Sequence, residues 1–267
     1  MKRVPVRDGE LEYESRGDGE PVLLIHGSHV ADAFLPLMSE PALADYRLIR
    51  YRRRGYAGST RHEGPFGIVE QGEDALAVLR HLNVPTAHVV GHSYGALTGL
   101  QLAHAAPETV HSLSLLEPPL MMVPSAEAMG AALGPSIERY QAGDPAGAVD
   151  AFMQVVGGPE WRAIGERTVP GGAEQAEADA ATFFEVELPA LAEWRFDGDM
   201  AAEVSAPVLH VLASESGRFY AEGRDLVGTW FPESESRVVE GVRHLLQVQD
   251  PEAVAGVVAD FLARHPM

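Results

Sequence analysis

The chain has 267 residues, no cysteine, and 39 acidic against 20 basic side chains, a formal net charge of −19. Those numbers exclude disulfides, thiolate metal sites and cysteine nucleophiles, and so acidic a surface repels nucleic-acid phosphates and anionic membranes. No run approaches the ~20 apolar residues of a membrane span, and "MKRVPVRDGELEY" starts basic with no apolar core behind it, so it does not read as a signal peptide and the protein is expected in the cytoplasm.

Short β-branched runs open the chain. "VPV", "LEYES" and "PVLLIHG" read as three strands, separated by turn signals at Asp8-Gly9 and Gly17-Asp18-Gly19, and "YRLIRY" (46–51) as a fourth. A helix is expected at about 67–82, with Val69, Leu76, Leu79 and Leu82 on one face. "AHVVGHS" is a fifth strand, "YGALTGLQLAHAA" a helix closed by Pro107, and "VHSLSLLE" a sixth strand closed by Pro118-Pro119. The alternation then stops. Residues 118–203 hold no clear buried strand. In "GDPAGAVDAFMQVVGG" (143–158), Asp144 is placed to cap a helix and Pro145 to occupy its first turn. "AEQAEADAATFFEVE" (173–187) is expected to be helical as well. Beyond the break come "APVLHVLAS", a helix near 220–230, "SRVVEG" and a closing helix "PEAVAGVVADFLARH". This rhythm predicts an α/β fold: a mostly parallel eight-stranded sheet with helices on both faces and a helical lid inserted after strand six. The expected division is a core domain, 1–117 with 204–267, and a cap, 118–203.

"VVGHSYGAL" (89–97) sets Ser93 between Gly91 and Gly95, after a strand and before a helix. G-x-S-x-G in that context is a nucleophile elbow: the tight bend lifts the hydroxyl clear of the sheet and aims the helix N-terminus at it. "LLIHGSH" (23–29) supplies an early loop after a strand. The backbone N–H groups of Ser28 and Tyr94 would then form an oxyanion hole. Serine needs a base, and His244 lies in a loop between the last strand and the last helix. His92, inside the elbow, should point away, and His210, within a strand, should be packed in the core. His62, His81, His104, His111 and His265 read as surface or helix residues.

"HGSH", "YRRRGYAGS" (51–59), "GHSYG" and a late loop histidine, in this order, resemble the α/β-hydrolase superfamily over essentially the whole chain. The resemblance implies a serine nucleophile and a histidine held by an acid. Related hydrolases often carry an acidic residue where this chain has Arg52, so no catalytic role is assigned to that segment. In much of the superfamily the acid is an Asp after strand seven. Here "VLASESG" (211–217) puts Ser216 at that place. Glu117 ends strand six instead, 24 residues after Ser93. That placement resembles the zearalenone-lactonase-like hydrolases and part of the haloalkane dehalogenases. Glu215 is the competing acid.

The expected reaction is hydrolysis of a medium-sized, uncharged, apolar ester or lactone through Ser93, His244 and Glu117, with no cofactor and no metal. The small apolar substrate is the one expected partner, without nucleic acid or membrane, and the oligomeric state stays open. Met121, Met122, Met129, Met153, Phe152, Trp161, Phe183, Phe184 and Trp194 are candidates to line the pocket. Three other readings share the fold: a carbon–carbon bond hydrolase of diketone-like substrates, a cofactor-free perhydrolase or lyase, and a non-catalytic binder of a small ligand.

Overall fold

The computed structural model describes residues 1–61 and 66–267; His62 lies outside them. The strands are β1 (Lys2–Val6), β2 (Gly9–Arg16), β3 (Pro21–Ile25), β4 (Arg47–Tyr51), β5 (Ala87–His92), β6 (Val110–Leu116), β7 (Val208–Ala213) and β8 (Glu235–Val239). They form one sheet in the order β1-β2-β4-β3-β5-β6-β7-β8. β1 and β2 pair antiparallel, as do β2 and β4, and every later pairing is parallel.

The central strands are mostly apolar and bury both faces. Leu23, Ile25, Val89 and Leu115 face one side, where they meet Ala75, Val78 and Leu79 of α1 (Ile68–His81) and Leu97 and Leu100 of α2 (Tyr94–Ala105). Val22, Leu24, Val90 and Leu116 face the other side. The period-2 alternation of strand side chains sends each neighbour to the opposite layer.

Between β6 and β7 the chain is helical, with no strand among the described residues. In order come α3 (Ala126–Gln141), α4 (Pro145–Gly157), α5 (Trp161–Thr168), α6 (Gly172–Ala178), a π-helical turn (Thr182–Glu187), α7 (Leu188–Glu193) and α8 (Gly198–Ala202). Asp144 caps α4 as its sequence requires, its carboxylate accepting from the Gly147 amide at 2.9 Å. The single helix expected over 173–187 is instead interrupted after Ala178. Asp179 accepts from the Ala57 amide (2.8 Å), and the Thr182 hydroxyl donates to the Gly55 carbonyl (2.7 Å). These bonds to the loop after β4 outweigh helical continuity and widen the next turn to π geometry.

Beyond β7 lie α9 (Arg218–Trp230), α10 (Leu246–Gln249) and α11 (Pro251–Arg264). Val254, Val258 and Phe261 of α11 cover the second face of the sheet. No helix of the described residues is long and apolar enough to cross a membrane.

Candidate active site

β5 ends at His92 and α2 begins at Tyr94, so Ser93 alone makes the bend, with φ 52° and ψ −124°. A side chain at positive φ costs of order 1–3 kcal/mol and persists only where its surroundings hold it. The Ser93 amide is held by donating to the Leu116 carbonyl of β6 at 2.9 Å. Gly91 and Gly95 make the bend sterically open. A Cβ on Gly91 would strike the Gly95 carbonyl, and one on Gly95 would strike the carbonyls of Ile25 and His26.

Strand register carries the next residue into place. His92 pairs with Leu116 and Leu116 with Val211, so Glu117 leaves β6 beside Ser93 and beside the end of β7. Glu117 also has positive φ, 48°, and its side chain is fully buried. Its Oε1 accepts from the Ala213 amide (2.8 Å) and its Oε2 from the Ser216 hydroxyl (2.9 Å). Ser216, which stands where the superfamily acid was expected, donates instead to the Glu117 carboxylate.

His244 bridges the two. Its Nδ1 lies 2.8 Å from Glu117 Oε2 and its Nε2 2.8 Å from Ser93 Oγ. A carboxylate accepts only, so Nδ1 carries the proton and the Nε2 lone pair faces the hydroxyl. The ring stacks on Tyr220 at 4.3 Å and 23°. His92, expected to turn away, turns beneath the site instead. Its Nε2 donates to the His244 carbonyl at 2.7 Å, and the two rings lie 4.7 Å apart. Burial pushes the His244 imidazole down and the Glu117 carboxyl up, while the Ala213 and Ser216 donors favour the carboxylate.

Glu215 is solvent-exposed, 3.6 Å from Arg243, and does not reach His244. His210 is buried in β7, as expected.

Ser93, Ser28 and Tyr94 line one cavity of about 220 Å³. Tyr94 opens α2, where an amide has no intrahelical acceptor. The remaining wall is apolar, with Met121, Met129, Phe152 and Phe183 from the expected set and Leu133, Ile137 and Tyr220 in addition. Among the described residues that line it, none is an acid, a lysine, an arginine or a histidine. The other aromatic and Met candidates lie elsewhere. Met153, Trp161 and Phe184 pack in a core that the helical segment shares with Val30, Ala33, Leu245 and Val248, and Met122 is exposed. Trp194 lines a separate outer groove and donates to Gln101 at 3.1 Å. Composition nominated them, but the rotation of each helix about its axis decides which face meets the cavity.

This sheet, with a bend-borne serine at the end of its central strand, defines a class. The family model for the alpha/beta hydrolase fold matches residues 20–153, and the chain belongs to that family. It is 43% identical over 107 residues to 3-oxoadipate enol-lactonase 2 of Acinetobacter baylyi, covering 39% of this chain and 40% of the relative. It is 36% identical over 116 residues to rhodomycin D methylesterase DauP of a Streptomyces species, covering 40% and 39%. The matches thus span about two fifths of the length of these relatives. Among solved structures, a thermophilic esterase from Thermogutta terrifontis superposes with a TM-score of 0.81 at 20% identity, covering all of both chains.

Proposed function

We propose that the protein is a serine hydrolase that cleaves a neutral, apolar carboxylic ester or lactone. The observation that carries this reading is the unbroken hydrogen-bond chain from Ser93 Oγ through His244 to Glu117, opening on an uncharged cavity. Ser93 Oγ attacks the carbonyl carbon as His244 Nε2 takes its proton. The carbonyl electron pair moves onto oxygen, which accepts from the Ser28 and Tyr94 amides. Collapse of the tetrahedral adduct breaks the bond to the alkoxy oxygen, and His244 returns the proton to that oxygen. Water, deprotonated by His244, then attacks the acyl-enzyme and releases the acid. Glu117 holds the imidazole tautomer and stabilises the imidazolium. In this reading residues 118–203 are the cap over the core formed by 1–117 and 204–267, and the cap supplies the apolar wall.

The absence of cationic lining residues favours uncharged acyl groups, since a substrate carboxylate would enter unpaired. The esterase and lactonase names of the matched relatives agree with acyl transfer. The test is a fluorophosphonate adduct mapped by mass spectrometry, followed by a panel of neutral esters, lactones and diketones. Modification of Ser93 with ester or lactone turnover is expected. Labelling elsewhere, or full turnover by Ser93→Ala, overturns the reading.

A further inference from the structure

Arg53 is one of the largest side chains fully buried among the described residues, and its charge is met by Glu187, equally buried, from the π-helical turn. Burying two charges is expensive, and such a pair is rarely worth more to stability than apolar residues of the same size. The remaining donors of the guanidinium show where it is directed. Nε donates to the His26 carbonyl and Nη2 to the Gly27 carbonyl, both at 2.9 Å. Nη1 also donates to Gln71 at 3.1 Å. The Arg53 amide donates to His26 Nε2 at 2.9 Å, so backbone and side chain grip the same loop. The guanidinium carbon sits 4.7 Å from the centre of the Tyr94 ring.

The Gly27 oxygen and the Ser28 N–H belong to one peptide unit. In a planar trans peptide they point in opposite directions. Arg53 Nη2, together with His26 Nδ1 at 2.7 Å, fixes the oxygen and therefore the Ser28 N–H on the far side of the peptide plane. A positive charge on the oxygen also draws electron density from the amide and strengthens its N–H as a donor. We propose that Arg53 is a positioning residue for the oxyanion hole: its fork holds the 26–27 carbonyls so that the Ser28 amide faces the substrate oxygen. Glu187 completes the device from the helical segment. Its second oxygen accepts from Tyr56 Oη at 2.8 Å, and Tyr56 Oη in turn accepts from the His29 amide at 3.2 Å. Both sides of the oxyanion loop are thus tied to one carboxylate of the cap.

This inference rests on the acyl-transfer reading above, so Ser93→Ala is assayed alongside. Arg53→Lys keeps a charge opposite Glu187 but lacks the planar fork that spans two carbonyls. The double variant Arg53→Met with Glu187→Met removes both charges at nearly constant volume. The readouts are turnover of p-nitrophenyl butyrate and inhibition by a boronic acid, which forms a tetrahedral adduct on serine. In each variant kcat is expected to fall roughly 10- to 100-fold, approaching the loss of one oxyanion donor, with KM within about threefold. The boronate inhibition constant should rise in step with the loss of kcat, a coupling that a merely structural ion pair would not produce. Wild-type kcat in the double variant, with Ser93→Ala inactive, overturns the role of Arg53 alone. Full activity in Ser93→Ala overturns the acyl-transfer reading on which it stands.

Discussion

Replacing Ser216 with alanine deletes one donor from the Glu117 carboxylate and leaves the Ala213 amide in place. The buried pair of Glu117 and His244 shares protons, and its titration belongs to both. Burial raises the acid and lowers the base, and the last proton to leave is shared by the pair. The acid limb of kcat/KM then reports the loss of the pair's last proton, which a donor to the carboxylate makes easier. A hydrogen bond to a charged group contributes ~1.5–3 kcal/mol, and one pH unit corresponds to about 1.36 kcal/mol, so its full loss moves the limb by roughly 1–2 units. Ser216 is half-buried, and water can take the vacated place, which puts the expected shift near the lower end, about 1 unit. The sign follows from the state that is stabilised. The donor favours the ionised form, its removal raises the pKa, and the limb moves to higher pH. Ser216→Thr, which keeps the hydroxyl, should leave the limb in place. The assay is a kcat/KM profile on a neutral ester between pH 4 and 9, as an estimate of the useful range. A limb unmoved by Ser216→Ala, in a protein that Glu117→Gln inactivates, would refute the reasoning.

Glu117→Gln should lower kcat by roughly 10³- to 10⁴-fold, the scale seen when a triad acid becomes an amide, while Glu215→Gln stays within about twofold; steady-state kinetics on both variants decides between the two acids. Asp32 accepts from Arg50 at 2.6 Å and from Arg52 at 2.9 and 2.6 Å. Burial pushes its carboxyl up, but the Arg52 hydrogen bonds and the charges of Arg50 and Arg52 outweigh that and hold it at about 2. Because the folded value is depressed, its stabilisation is present above about pH 4 and is lost as pH falls through about 2. Allowing for solvent screening, Asp32→Asn should cost roughly 1–2 kcal/mol at pH 7 and converge on the parent protein near pH 2. Urea unfolding at several pH values measures it, and a penalty independent of pH would contradict the assignment.

Much of this architecture was legible in the residues. The run "PVLLI" is apolar at every position, and "AHVVG" at all but His88, because both of their faces are covered, and they became β3 and β5. Asp144-Pro145 announced the start of α4, since cap and first-turn chemistry is local. Ser93, Glu117 and His244 could be nominated because the first two sit at strand ends and the third in the loop after β8, where local chemistry is readable. Arg53 and Glu187 could not, being 134 positions apart with no periodic pattern to join them. The segment 51–59 carries arginine rather than an acid at 52, and nothing in it singles out the neighbouring Arg53. Tyr220 sits one turn into α9, and only the packing of that helix against the His244 loop brings its ring over the imidazole. The break after Ala178 depends on backbone groups at 55 and 57, which no helical propensity encodes.

In the proposed triad the acid follows β6 rather than β7, and that changes which parts of the site can drift. Ser93 and Glu117 follow two neighbouring strands whose ladder runs without a break from His88 to His92, so thermal breathing carries them as one body. The imidazole alone rides on a connecting segment, moored by its amide to Val156 and by its carbonyl to His92. Disengagement of the relay thus reduces to a single excursion, that of the segment bearing His244, and amide hydrogen exchange there should be faster than along either strand.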